Sequence, residues 1–221
     1  MKKIRTSKFL IMTVITALLL SSCATTSTTM DENYTILEPA KTWVVLMEMN
    51  DFPDGMSDLP IDFLNTKQMK DMFTKLGVDE NNILVKKDDM SIKSVKESIA
   101  WLNENSKEND TVFFYIASHG SWIRNKLAWN TFILPKWKEL EGRKKVLLVD
   151  SCNAGEFIRD QKDDETSGIS IGAVSADELG WWGIEEEGLP IIGSIWVKYF
   201  TEAVFNEEAD LDDNGMITIN E

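Results

Sequence analysis

Histidine and cysteine are nearly absent from this chain. Among its 221 residues there is one histidine, His119, and there are two cysteines, Cys23 and Cys152. The apolar stretch Phe9 to Leu20 spans only twelve positions, short of the ~20 that a helix needs to cross a hydrocarbon core. Basic residues are scarce as well: 23 Lys and Arg stand against 37 Asp and Glu, a net charge of −14. Such a surface repels polyphosphate and anionic lipid, which excludes nucleic acid as a natural partner and excludes membrane attachment through a basic patch.

What the N-terminus does contain reads as a targeting segment. Lys2, Lys3, Arg5 and Lys8 precede the apolar stretch, and Leu20-Ser21-Ser22-Cys23 follows it. That order of basic start, short apolar core and small residues is the pattern of a cleaved secretory signal. The last four residues resemble the lipobox of bacterial lipoproteins. The resemblance implies removal of residues 1–22, a diacylglycerol on Cys23, and a lipid-anchored, extracytoplasmic place in a bacterial cell envelope. Loss of the four basic residues takes the net charge from −14 to −18. Cys152 is then the one free thiol, so no disulfide can form within the chain. Residues 23–40 include the Thr/Ser-rich run Ala24 to Tyr34, the composition of a tether. From Lys41 onward roughly 180 residues remain, enough for one domain with a sizeable core.

Within that domain, apolar runs alternate with amphipathic ones. Strands are expected at Thr42–Met49, Asn82–Lys87, Thr111–Ser118, Val146–Asp150 and Ile169–Ala176. Helical spacing runs from Ile61 to Leu76, with Gly77 at the C-cap, and from Ser91 as N-cap to about Asn105. A further helix is expected over Gly193–Phe205. Near-continuous apolar strands alternating with helices predict an α/β fold: a mostly parallel central sheet covered by helices on both faces. Right-handed crossovers bring every strand's C-terminal end to one edge, where ligands bind in open α/β sheets.

His119 stands just past the third expected strand and Cys152 just past the fourth, so both emerge at that edge. A thiol needs a neighbouring base or cation to act as a thiolate near neutral pH, and an imidazole supplies one. Gly120 and Gly155 let the backbone come close to a substrate. The N–H groups of Gly120 and Cys152 are candidate donors to the oxyanion of a tetrahedral intermediate.

YIASHG (Tyr115 to Gly120) and VDSCNAG (Val149 to Gly155) resemble the two central blocks of the caspase-like cysteine peptidases. MNDFPD, LGVDENNI, SADELGWW and GSIWVKYFTEAV are similar to flanking segments of bacterial metacaspase-type domains. The resemblance runs from about Lys41 to the end. It implies a three-layer caspase-like fold over residues 41–221, peptide-bond hydrolysis, His119 as general base and Cys152 as nucleophile. It also implies that Asp150, two residues before the cysteine, reads a basic P1 side chain, Arg or Lys, of a protein or peptide substrate. The chemistry requires no cofactor. A catalytically silent peptide-binding domain is the alternative. Two departures stand out: only 33 positions separate His119 from Cys152, and Ser118 precedes the histidine where metacaspases usually carry Gly. Asp51 and Asp177 are further candidates to share the pocket, but no role is assigned to them. Trp122, Trp181 and Trp182 flank the expected cleft, and the polar loop holding Arg159 and Lys162 reads as a solvated segment.

The acidic end has a pattern of its own. Asp210, Asp212, Asn214, Met216, Thr218 and Glu221 fall at the ligand positions of an EF-hand-like calcium loop, with Gly215 at its turn. The exiting helix of such a hand is missing because the sequence stops at Glu221, as a shortened chain would, and calcium is therefore expected only as a weak ligand.

Overall fold

In the computed structural model, which describes residues 39–140, 143–158, 168–184 and 191–211, five parallel strands form the centre of the molecule. They are β1 (Thr42–Glu48), β2 (Ile83–Lys87), β3 (Thr111–Ala117), β4 (Lys144–Asp150) and β5 (Ile169–Gly172), in the order β2-β1-β3-β4-β5. The inner strands are apolar at almost every position, since a parallel sheet meets helices on both faces. Val44 and Leu46 point one way from β1, and Val45 and Met47 the other; all four are buried.

Each face has its own helices. Helix α1 (Leu64–Lys75) and helix α7 (Ile195–Ala203) cover the face carrying Leu46, Tyr115 and Leu148, through Met69, Phe73 and Val197. Helix α2 (Ile92–Asn105) covers the other, inserting Val95, Ile99 and Leu102 beside Val45 and Phe114. Three short helices join it there, α3 (Gly120–Asn125), α4 (Trp129–Phe132) and α5 (Leu134–Lys138), together with α6 (Gly155–Ile158). The result is a three-layer α/β sandwich. Ser91 caps α2 by accepting from the Ser94 amide, and Gly77 takes a positive φ of 88° just past α1, as that position demands.

Several expected boundaries move. The expected run to Ala176 ends as a strand at Gly172: Ala173 makes the last cross-strand bond, to the Val149 carbonyl, and the chain then turns toward the cysteine turn, where Val174 accepts from the Gly155 amide. The expected helix from Gly193 starts at Ile195. Gly193 and Ser194 instead end β7 (Ile191–Ser194), which pairs antiparallel with β6 (Trp182–Ile184) in a small second sheet. Cys23, the tether, Arg159 and Lys162 lie outside the described residues. So do Asp212, Asn214, Met216, Thr218 and Glu221 of the acidic loop; only Asp210 is described, following a short 3-10 turn at Glu207–Ala209. Among the described residues no helix is long and apolar enough to cross a membrane, and no cluster of three metal-ligating side chains occurs.

Candidate active site

The site begins with strand register. β3 and β4 are adjacent, and Ala117 at the end of one is the Cα partner of Asp150 at the end of the other. His119 lies two residues beyond Ala117 and Cys152 two beyond Asp150, so equal steps carry both off the same rung at the same edge. The Ser118 amide donates to the Asp150 carbonyl at 3.3 Å, holding the two exits together. His119 and Cys152 line one cleft with Ser118, Ser151, Asp150 and Glu48.

Gly120 explains how the exits come so close. A Cβ built there would lie 2.1 Å from the Cys152 carbonyl oxygen, so a side chain at 120 would collide with the backbone of the cysteine itself. Beside the expected approach to substrate, this glycine thus has a contact inside the chain: it gives up its side chain to Cys152. Gly155 differs from expectation in that its N–H is not free. Its Cβ would meet the Ala176 nitrogen at 2.6 Å, and its amide donates to Val174, so it packs against the following loop. The Gly120 amide, first in its helix, has no intrahelical acceptor. Among the described residues, neither it nor the Cys152 amide donates to a backbone carbonyl outside the regular elements.

The cysteine turn is pinned from outside. Asn153 adopts a left-handed φ of 57°, which Asn tolerates better than most residues. Its amide donates to Glu178 and its side chain to Ala176. Gly180 then passes over Ser151 and Cys152, and the thiol sulfur sits 3.9 Å from its carbonyl oxygen. Trp181 and Trp182 line the cleft and remain exposed at its rim. Trp122 does not line it. Its indole donates to Met90, and it touches Phe52 edge-on, which in turn lies against the His119 ring at 4.7 Å.

His119 Nε2 lies 2.9 Å from the Ser57 carbonyl oxygen. A carbonyl only accepts, so Nε2 must carry the proton in the neutral ring, leaving the Nδ1 lone pair for another partner. Sequence reasoning missed Ser57, since a backbone carbonyl contributes no side-chain signal.

Asp150 is buried at the cleft floor. Tyr115 donates to its Oδ2 at 3.1 Å and Ser194 to its Oδ1 at 3.0 Å. Burial pushes its carboxyl up to about 6, the two hydroxyls oppose that rise, and the charge of Glu48 adds to it. Burial, followed by the charges of Asp150 and Glu48, also holds the Tyr115 phenol well above its ordinary range. No salt bridge to a basic side chain reaches either carboxylate among the described residues. Asp51 and Asp177 are both exposed; Asp51 donates its amide to Asp88, and Asp177 accepts from Ser175, and neither lines the cleft.

The family model for the caspase domain matches residues 41–210 of the chain. No curated protein matches it.

Proposed function

Because the chain belongs to the caspase-domain family over residues 41–210, we propose that it is a cysteine endopeptidase cutting after Arg or Lys, with Cys152 as nucleophile and His119 as general base. The observation that carries this reading is the pair of equal exits from the Ala117–Asp150 rung, which bring the one histidine and the one described cysteine into a cleft floored by a buried carboxylate.

The chemistry follows from the donors on hand. His119, its Nε2–H held by Ser57, takes the thiol proton on Nδ1. The Cys152 thiolate then attacks the scissile carbonyl carbon, whose oxygen gains the negative charge. The amides of Gly120 and Cys152 donate to that oxyanion. The tetrahedral intermediate collapses as the imidazolium protonates the leaving amine, giving a thioester and a free amino terminus. His119 next accepts a proton from water, the hydroxide displaces the thiolate, and the thiolate regains the proton from the imidazolium as the acid product leaves.

Substrate choice follows from charge. Taking a carboxylate out of water without a partner costs several kcal/mol, and a P1 guanidinium or ammonium supplies the missing cation. The membrane anchor at Cys23 and the envelope location belong to this proposal on the sequence pattern alone. Replacing Cys152 with Ala is expected to abolish cleavage of Arg- and Lys-terminated reporter peptides in the purified full chain. Turnover persisting in that variant at the wild-type rate would remove Cys152 from the mechanism.

A further inference from the structure

The rung that sets the catalytic exits extends one strand further. Glu48 at the end of β1 is the Cα partner of Ala117, which is the partner of Asp150. Three residues on one rung of a parallel sheet point to one face, here the face of Tyr115 and Leu148. The row therefore reads carboxylate, methyl, carboxylate. Neighbouring strands lie ~4.8 Å apart, so the two acidic Cα atoms stand about 10 Å from each other. The small Ala117 between them leaves a slot, and both acids line the cleft that contains it.

The two oxygens of Glu48 differ. Oε2 accepts from the Thr66 amide at 2.7 Å and from the Thr66 hydroxyl, so it satisfies an orphan donor in the first turn of α1, whose N-cap residue Phe63 makes no side-chain cap hydrogen bond. Oε1 is buried and has no hydrogen-bond partner, although Glu48 is only 1% exposed. The Asn50 side-chain amide and the Asn65 backbone N–H lie near enough to favour the charged form of Glu48, yet neither makes a hydrogen bond to Oε1, and Asn50 Nδ2 makes none at all. Ser118 Oγ is a third buried, unpartnered atom, and it too lines the cleft. A buried carboxylate oxygen left without a donor is costly, and Glu48 is a lining residue of the cleft, which supplies a use for it.

We propose that Glu48 is a second specificity residue of the P1 pocket: its free Oε1 and the Asp150 carboxylate take opposite edges of one guanidinium, with Ser118 Oγ as an additional acceptor, so that the enzyme selects Arg over Lys. This rests on the basic-P1 reading above and narrows it. Arginine presents five N–H donors in a rigid planar fork and can bridge two acceptors on either side of a slot. A lysine ammonium is a compact point charge, which reaches one carboxylate and leaves the other unpaired.

The test compares full-length wild type, Glu48→Gln and Asp150→Asn on reporter peptides that differ only in P1, as Arg, Lys or the neutral isostere citrulline. Glutamine keeps an oxygen for Thr66 and turns an amide N–H toward the slot, so the cap survives while the cation meets a donor. Wild type is expected to favour Arg over Lys by at least ~10-fold in kcat/KM. Glu48→Gln is expected to lose ~10–100-fold on Arg, mostly through KM, and to bring the Arg/Lys ratio near one, with no fall in melting temperature. Equal use of Arg and Lys by wild type overturns the proposal whether or not the variant folds. A Glu48→Gln protein that keeps the wild-type ratio, while Asp150→Asn loses both basic substrates, reduces Glu48 to a cap for α1 and leaves the basic-P1 reading intact. Wild-type cleavage of citrulline peptides as fast as basic ones removes both.

Discussion

Substituting Gly120 by Ala places a methyl group where the Cys152 carbonyl already is. The new carbon would lie 2.1 Å from the oxygen and 3.1 Å from the carbonyl carbon, against the 3.4 Å at which ordinary contact begins. The gap between the histidine turn and the cysteine turn must open by roughly 1.3 Å, the difference between 3.4 and 2.1 Å. Neither side yields cheaply: both contact atoms are backbone, Asn153 ties the cysteine turn to Glu178 and Ala176, and Ser57 and Phe52 hold the imidazole. Overpacking of this kind costs about 1–3 kcal/mol, which in a domain of this size lowers the melting temperature by about 2–12 °C. The larger effect falls on rate, because an ångström of misplacement between reacting groups costs ~100-fold. The assay is kcat/KM on an Arg reporter alongside thermal denaturation of the same preparation. A Gly120→Ala protein with wild-type kcat/KM would falsify the close approach of the two turns as the basis of the site.

The remaining expectations concern charge and location. Asp150 titrates at about 6 in the fold, above the ~3.9 of an exposed aspartate. The folded state therefore holds a proton that the unfolded chain has lost, and stability falls as pH rises from about 4 to about 6, then levels. The full fall across that window amounts to ~3 kcal/mol. Denaturant titrations across that range should show a much shallower slope in Asp150→Asn, with a remnant from Glu48, which burial shifts in the same direction; an unchanged slope would assign the titration elsewhere. Because only the ionised pocket binds a cation, KM for Arg peptides should fall as pH rises through about 6. Cys23→Ala should move the protein from the membrane pellet to the soluble fraction in a bacterial host, and a variant that still sediments would refute the lipid anchor.

Much of this architecture was legible because buried parallel strands declare themselves. Runs such as Val44–Met47 and Val112–Ala117 are apolar at consecutive positions, whereas a strand with one wet face would alternate. His119 and Cys152 were found the same way, as reactive side chains placed at strand ends. Glu48 was not. An acid one residue before the end of the run TWVVLMEM reads as the point where a strand meets solvent, and in a sheet covered on both faces, alternation does not separate inside from outside. Its role depends on the β1–β3–β4 register, which links residues about seventy and thirty positions apart and leaves no local trace. The three short helices between His119 and Cys152 were hidden for another reason. Ala128 takes a left-handed φ of 43° and Pro135 opens α5, so no stripe persists long enough to show helical period. The β6–β7 pair was missed because its strands are three and four residues long and one contains Gly193 at a φ of 83°.

The shared rung also governs when the site comes into being. Parallel pairing of β3 with β4 requires the whole crossover through α3, α4 and α5 to have been made and folded back, and non-local pairing of this kind costs chain entropy before its contacts can form. Cys152 leaves a ribosome after His119, and the loop that pins its turn, Ala176 to Gly180, leaves later still. A chain still being made thus has a histidine with no thiol, then a thiol on an unpinned turn, and only at the end both on one rung. The order of synthesis by itself delays the pairing of His119 with Cys152 until the domain can close around them.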